Sequence, residues 1–338
     1  MLSNIWYFGL VSADLPVGKL VHRELCGEPL VFGRTSGGQV FALRDLCPHR
    51  GVPLSEGRIS GEELECCYHG WTFNIKGQCT GIPALSKQDS VNFDKIATKA
   101  FQVREAQGVI WFWFGEGDGA DTPHPVIPDV DDTYPRITHA LTFPVNIDHA
   151  VVGLVDPAHT PHVHESWWWR RPAKRHSKIK HFEPTSLGFK MTAHDAAKNS
   201  TLYRMVGRSP EVDITFALPG VRIERIRAGR NYYCGMTACT PINENNTLTT
   251  HLMWWSMPWL TLVKPVIWPF VKSFLAQDQA IFEKQARGLR WQPTLRLNGE
   301  PDQQAMWYFK IKNEWDRSAN TGRQFVNPLQ KATLQWRT

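Results

Sequence analysis

Short apolar runs of strand length, separated by turn residues, dominate the first third of the chain. Pro29-Leu-Val-Phe-Gly-Arg34 and Gln39-Val-Phe-Ala-Leu-Arg44 flank Thr35-Ser-Gly-Gly38. Two β-rich runs around a Gly-Gly pair predict a hairpin. Asn74-Ile-Lys-Gly77 is a further turn signal. Gly108-Val-Ile-Trp-Phe-Trp-Phe114 is an unbroken β-branched and aromatic run, which predicts a buried strand closing a small antiparallel β domain over residues 1–118. Far downstream, Tyr232–Pro241 and Thr247–Trp255 flank Asn243-Glu-Asn-Asn246 and predict a second hairpin. The apolar stretch from Met257 to Phe270 is interrupted by Pro258, Pro265, Pro269 and Lys264. It is too broken to span a bilayer, and is expected as a lid over an apolar pocket or a dip into a lipid interface. Residues 288–338 are polar with scattered aromatics and are expected to be a C-terminal extension packed on the rest.

Length adds that 338 residues are enough for two domains. Gly115-Glu-Gly-Asp-Gly-Ala120 formally fits a dinucleotide fingerprint, but the following Asp-Thr-Pro-His-Pro cannot open the helix that would hold a pyrophosphate. Residues 115–135 therefore read as a linker, with the second domain at 119–338. A charge of +6 is only weakly in favour of an acidic partner. Fifteen Trp point to bulky packing, a large apolar site or an interface. Seven Cys in such a chain make no disulfide scaffold and fit a reducing, cytoplasmic setting, and no signal peptide is apparent at the N-terminus. Trp167-Trp-Trp-Arg-Arg171 through Lys180 interleaves aromatics with bases. With no nucleic-acid recognition fold beside it, three readings stay open: a face for an acidic electron carrier, a headgroup-contacting surface, or a solvated subunit-contact loop.

Chemistry concentrates in two places. Cys47-Pro48-His49 and Cys66-Cys67-Tyr68-His69 form C-x-H, a sixteen-residue gap, then C-x-x-H. Each half offers one thiolate and one imidazole. A Rieske [2Fe–2S] centre divides its ligands in this way, two Cys on one iron and two His on the other. A tetrahedral Cys2His2 zinc site is the rival, although zinc sites more often pair like with like. The second place is Asp156-Pro-Ala-His159-Thr-Pro-His162-Val-His164, containing D-x-x-H-x4-H. Two imidazoles and a carboxylate make the facial triad of non-haem Fe(II). His159 and His164 stand about 140° apart on an ideal helix, so Pro157 and Pro161 must make the backbone irregular for both to face one metal.

The loops CPHRGVPLSEG and CYHGWTF closely resemble those of Rieske oxygenases, and with D-x-x-H-x4-H and the length they make the whole chain similar to the catalytic α subunit of a Rieske non-haem iron oxygenase of the phthalate, vanillate and dicamba type. The resemblance implies an α+β architecture: an N-terminal antiparallel-β Rieske domain, then a helix-grip catalytic domain whose antiparallel sheet holds a long helix. It implies that Cys47, His49, Cys66 and His69 bind [2Fe–2S], that His159 and His164 bind mononuclear Fe(II), and that Asp156 is the carboxylate bridging the two centres. It also implies a third ligand on a late helix. Asp278 fits, with Phe274, Ile281, Phe282 and Gln285 on its helical stripe; Glu283 and Asp302 stay open as alternatives. The chain departs from the pattern at Gly153, where the family often has Asn, and at His162, a pocket residue or a substitute for His164. His149 reads as structural, and His22 and His124 as surface residues. Further implications are O2 activation, NAD(P)H electrons from a separate reductase with or without a ferredoxin, and a head-to-tail homotrimer. The expected reaction is hydroxylation or oxidative demethylation of a hydrophobic, polycyclic or sterol-like substrate. Peripheral membrane contact is left open. O-demethylation of a small methoxy-aromatic, ring dioxygenation, a Rieske electron carrier without oxygenase activity and a zinc-structured binding module are the alternatives.

Overall fold

The computed structural model describes residues 1–131, 133–164, 177–195 and 206–337. The Trp167–Trp169 cluster and the bases that follow it up to His176 lie outside the described residues. The chain divides into two compact units, one comprising Ser3–His124 with 132–134, the other comprising Met1–Leu2, Pro125–Asp131 and Pro135–Thr338.

The first unit is built of small antiparallel sheets. Val109–Phe114 is buried as its composition predicts, paired with Ile5–Val11 on one side and Val103–Ala106 on the other. The expected hairpin is Glu28–Arg34 against Val40–Arg44, with Gly33 opposite Phe41. A Cβ at Gly33 would lie 2.2 Å from the Phe41 ring, so only glycine fits there. A four-stranded sheet of Arg58–Ser60, Glu63–Glu65, Thr72–Phe73 and Cys79–Gly81 carries the second Cys/His loop between its second and third strands. Among the described residues 115–135 hold no helix or strand. Their start is tied down where Trp6 Nε1 donates to the Thr122 carbonyl at 2.9 Å and Arg104 donates to those of Gly119 and Ala120.

The second unit is an eight-stranded antiparallel sheet with helices on it. Asn231–Pro241 and Thr247–Trp255 form the predicted hairpin, with Thr247–Trp255 paired to the edge strand Ile137–Phe143. Helix α1 is Ile147–Val155, α2 Thr160–Val163, α3 Pro258–Leu262, α4 Lys264–Leu289 and α5 Gln303–Thr321. The α+β reading and the long helix against the sheet are borne out.

The apolar stretch after Met257 forms helix over Pro258–Leu262 and from Lys264 onward despite its prolines. Pro265 sits in the first turn of α4, where its missing N–H costs nothing, while Pro269 lies inside the helix. Packing of Leu260, Val263, Ile267 and Trp268 into the core with Ile226 and Trp255 holds that turn together. The residues after 288 are more than an extension. Ala332–Arg337 is the other edge strand of the sheet, paired with Ser177–Pro184, and α5 buries Trp307, Tyr308, Ile311 and Trp315. Polar residues on the outer faces of both elements masked this in the sequence.

Candidate metal centres

The two Cys/His loops share one backbone design. Cys47 N–H donates to the Val52 carbonyl at 2.9 Å and Gly51 N–H returns to the Cys47 carbonyl at 2.8 Å. In the second loop Cys66 N–H donates to the Trp71 carbonyl at 2.8 Å and Gly70 N–H returns to Cys66 at 3.0 Å. Each turn closes on a glycine at φ near +70°, a region other residues adopt at a cost. Both cysteines are buried. Burial pushes the Cys47 thiol up to about 11, and the neighbouring Cys66 adds to this. The His49 and His69 rings lie 4.6 Å apart between centroids. Trp71 stacks on His49 at 4.4 Å and 7°, and Tyr68 lies over His69 at 3.8 Å. His49 Nδ1 is buried with no hydrogen-bond partner. Two thiols and two imidazoles converge around an orphaned ring nitrogen, which is what a metal cluster would relieve.

Sequence reasoning missed the brace beneath the first loop. Asp45, 1% exposed, accepts from Ser55 N–H at 2.7 Å and from Ser55 Oγ at 2.6 Å. His22 Nδ1 lies 2.5 Å from the same carboxylate. His22, expected as a plain surface residue, is half exposed but also clamps Asp45. Its only signal is an acid two residues before a ligand cysteine. Of the other histidines, His124 stacks on Trp111 and His149 is half-buried in α1.

The second centre is assembled at the end of α1. Asn146 caps the helix by accepting from Asp148 N–H, and Asp148 is anchored by Tyr308 and Lys312 of α5, each at 2.6 Å. The helix ends at Asp156, where the backbone turns extended and Oδ1 accepts from Ala158 N–H at 2.7 Å. Pro157 prevents further helix, and α2 then provides one short turn between His159 and His164. The irregularity demanded by the 140° mismatch is present. His159, His164 and Asp278 of α4 place their ligand atoms within 4.8 Å of one another. His164 Nε2 lies 3.4 Å, and His159 Nε2 3.8 Å, from Asp278 Oδ1. His162 is exposed and lies outside this group, as does exposed Glu283; Asp302 is occupied in accepting from Asn298 N–H.

The surroundings aim these donors. His164 Nδ1 donates to Gln277 Oε1 at 3.2 Å, leaving the Nε2 lone pair toward Asp278, and the ring lies flat on Phe274 at 3.6 Å. Burial lowers its pKa to about 4, with His159 adding to the fall and Gln277 opposing it. Burial alone would lower His159 too, but Asp156 and Asp278 outweigh it and raise that pKa. Burial lifts Asp278 to about 6, and His159 opposes the lift. His159 Nδ1 is buried without a hydrogen-bond partner, 3.6 Å from Asp156 Oδ2. Gly153 is explained by Phe282, whose ring fills the space a side chain would need: a Cβ there would lie 2.5 Å from its edge. That ring stacks on Phe143 at 4.3 Å, wedging α4 between α1 and the edge strand. Two imidazoles facing a carboxylate suit a divalent cation of the iron type.

Residues 5–101 match the Rieske [2Fe–2S] domain family, and all four cluster residues fall inside that match. The chain also superposes on the Pseudomonas putida CBB5 NdmA QL mutant with caffeine, with a TM-score of 0.76 at 19% identity, over 97% of this chain and 96% of that one. Residues 5–101 therefore form a Rieske [2Fe–2S] domain. This Rieske-domain chain is 38% identical over 173 residues to chlorophyllide a oxygenase, chloroplastic, of Chlamydomonas reinhardtii, covering 50% of this chain and 25% of the relative. It is 32% identical over 136 residues to the 4beta-methylsterol monooxygenase of Methylococcus capsulatus, covering 40% of this chain and 37% of the relative. The alignments thus span between a quarter and two fifths of these relatives' length.

Proposed function

We propose that the chain is the terminal oxygenase of a multicomponent system, hydroxylating or oxidatively demethylating a hydrophobic, polycyclic or sterol-like molecule. The convergence of His159, His164 and Asp278 carries the reading, because it supplies one face of ligands and leaves the remainder for O2 and substrate. Bound Fe(II) would supply O2 activation, and a [2Fe–2S] cluster would store one electron at a potential raised by its histidine ligands. Cys47, Cys66, His49 and His69 would hold the cluster. Asp278 would offset the metal's charge, and Gln277 and Phe274 fix the His164 ring. Asp156 stands beside His159 Nδ1, where closing by about half an ångström makes a hydrogen bond that orients the ring. The names of the chlorophyllide and methylsterol relatives support a large apolar substrate.

Electrons come from a reductase, with or without a ferredoxin, in a reducing cytoplasmic compartment. Three copies arranged head to tail would bring His69 of one chain to Asp156 of the next, and a native mass of three chains is the expected result. No helix among the described residues is long and apolar enough to cross a membrane. The decisive experiment is a single turnover: prereduced protein is mixed with O2 and a sterol or tetrapyrrole, and product mass and cluster oxidation are followed together. Turnover of small methoxy-aromatics with none of the polycyclic compounds would defeat the substrate assignment. A cluster that oxidises without product from any substrate would leave only an electron carrier.

A further inference from the structure

The start of the long helical segment exposes an apolar stripe that the metal chemistry does not use. Trp259, Leu262 and Val266 are 42%, 82% and 67% exposed. Their spacing of three and then four residues puts them on one side of the α3–α4 run. Pro258, Pro265 and Pro269 are exposed beside them. The opposite side, with Leu260, Val263, Ile267 and Trp268, is already packed into the core. Folding therefore accounts for one face of the segment and leaves the other apolar in water. Grouped apolar exposure of this kind marks a contact surface.

Charge indicates what covers it. From Asn245 to Gln277 the sequence holds no Asp or Glu, and Lys264 and Lys272 lie along the segment. Lys272 Nζ sits 5.5 Å from the Trp268 ring centroid, and Lys264 Nζ donates to the Arg136 carbonyl, which brings exposed Arg136 alongside. The acids on the neighbouring loop are Asp129, paired with Arg225 and Arg227, Asp131, and Asp132, which lies outside the described residues. Large apolar side chains, an exposed Trp and cations without intervening carboxylates match the headgroup boundary of an anionic bilayer. The prolines and Lys264 keep the segment on a membrane surface rather than through it.

We propose that the Trp259–Leu262–Val266 stripe docks this protein on an anionic lipid bilayer. The same helix carries Asp278, twelve residues or about 18 Å beyond Val266, so docking brings the start of the metal-bearing helix to the membrane. The proposal deepens the reading of a hydrophobic substrate, giving it a bilayer as source, and rests on that reading only for its purpose.

Flotation of the full chain tests it, using vesicles of phosphatidylcholine and phosphatidylglycerol in equal parts against phosphatidylcholine alone. The wild type is expected to float with the mixed vesicles and to be released by salt. Leu262→Glu combined with Val266→Glu should reduce the bound fraction roughly tenfold or more, while iron content, cluster signal and melting temperature stay unchanged. Leu262→Ser with Val266→Ser gives a milder version should the charged pair disturb folding. Lys272→Glu should weaken binding to the anionic vesicles only. A wild type that stays with the soluble fraction overturns the proposal, as does a stripe variant that floats equally well. So does a native mass that the variants reduce without any vesicle binding, which would make the face a contact between copies. Vesicle binding with no oxidation of any apolar compound would instead defeat the substrate reading and leave the docking intact.

Discussion

Gly153→Ala sets two opposing effects against each other at the joint between α1 and α4. In a helix interior this exchange is worth up to about 1 kcal/mol in favour of alanine. The new methyl, however, would lie 2.5 Å from Phe282 Cζ and 3.1 Å from Cε1. Phe282 cannot swing away freely, because it is buried and stacked on Phe143 at 4.3 Å. Overpacking a well-filled site costs about 1–3 kcal/mol, so the clash should win with a net loss of about 0–2 kcal/mol. For a unit of this size that lowers the melting temperature by up to about 8 °C. The more telling readout is iron. Phe282 is one turn beyond Asp278, so pushing it off Gly153 draws that carboxylate away from His159. Mononuclear iron per chain should fall while the cluster signal persists. Gly288→Ala, with no atom within 4 Å of its Cβ, is the control and should be neutral or slightly stabilising. Adding Phe282→Leu to Gly153→Ala should restore iron. A Gly153→Ala protein with full iron and an unchanged or higher melting temperature would refute the wedge argument.

Asp278→Ala should empty the mononuclear site and spare the cluster, whereas Asp156→Asn should keep much of both metals but stop electron passage, checked by metal analysis and by whether a prereduced cluster stays reduced with substrate and O2. Cys66→Ser or His49→Ala should abolish the red-brown colour and the reduced-state EPR signal while Fe(II) still binds; zinc without sulfide in the wild type would sink the cluster assignment. Because burial raises Asp278 to about 6 and its carboxylate must be ionised to hold a cation, Fe(II) affinity should fall as pH drops through about 6, measured by competition with a chelator. His251 is held near 3 chiefly by burial, with its Nε2 unpartnered, so its contribution to stability is present above its unfolded value near 6.5 and is lost as pH falls toward 3. His251→Gln should flatten that part of the stability profile in acid unfolding of the metal-free protein.

Much of this protein is determined locally, and those parts were legible in the sequence. The 29–34 and 40–44 hairpin, the Val109–Phe114 strand and the 231–255 hairpin follow from strand-type runs and turn residues that act over a few positions. The candidate metal residues were legible for a chemical reason, since few side chains bind iron and their spacing reflects the loops that carry them. What only the tertiary structure decided are meetings between residues far apart in the chain. Asp278 reaches His164 across 114 positions because Phe282 fits against a missing side chain at Gly153, a complementarity that has no pattern in one dimension. Asp45 acquires its role from His22 and Ser55 folding around it. Ala332–Arg337 becomes a sheet edge because Ser177–Pro184 offers it open backbone partners. The helix through Pro265 and Pro269 survives because core contacts on its inner face outweigh the lost hydrogen bond, a balance that propensity, read along the chain, cannot weigh.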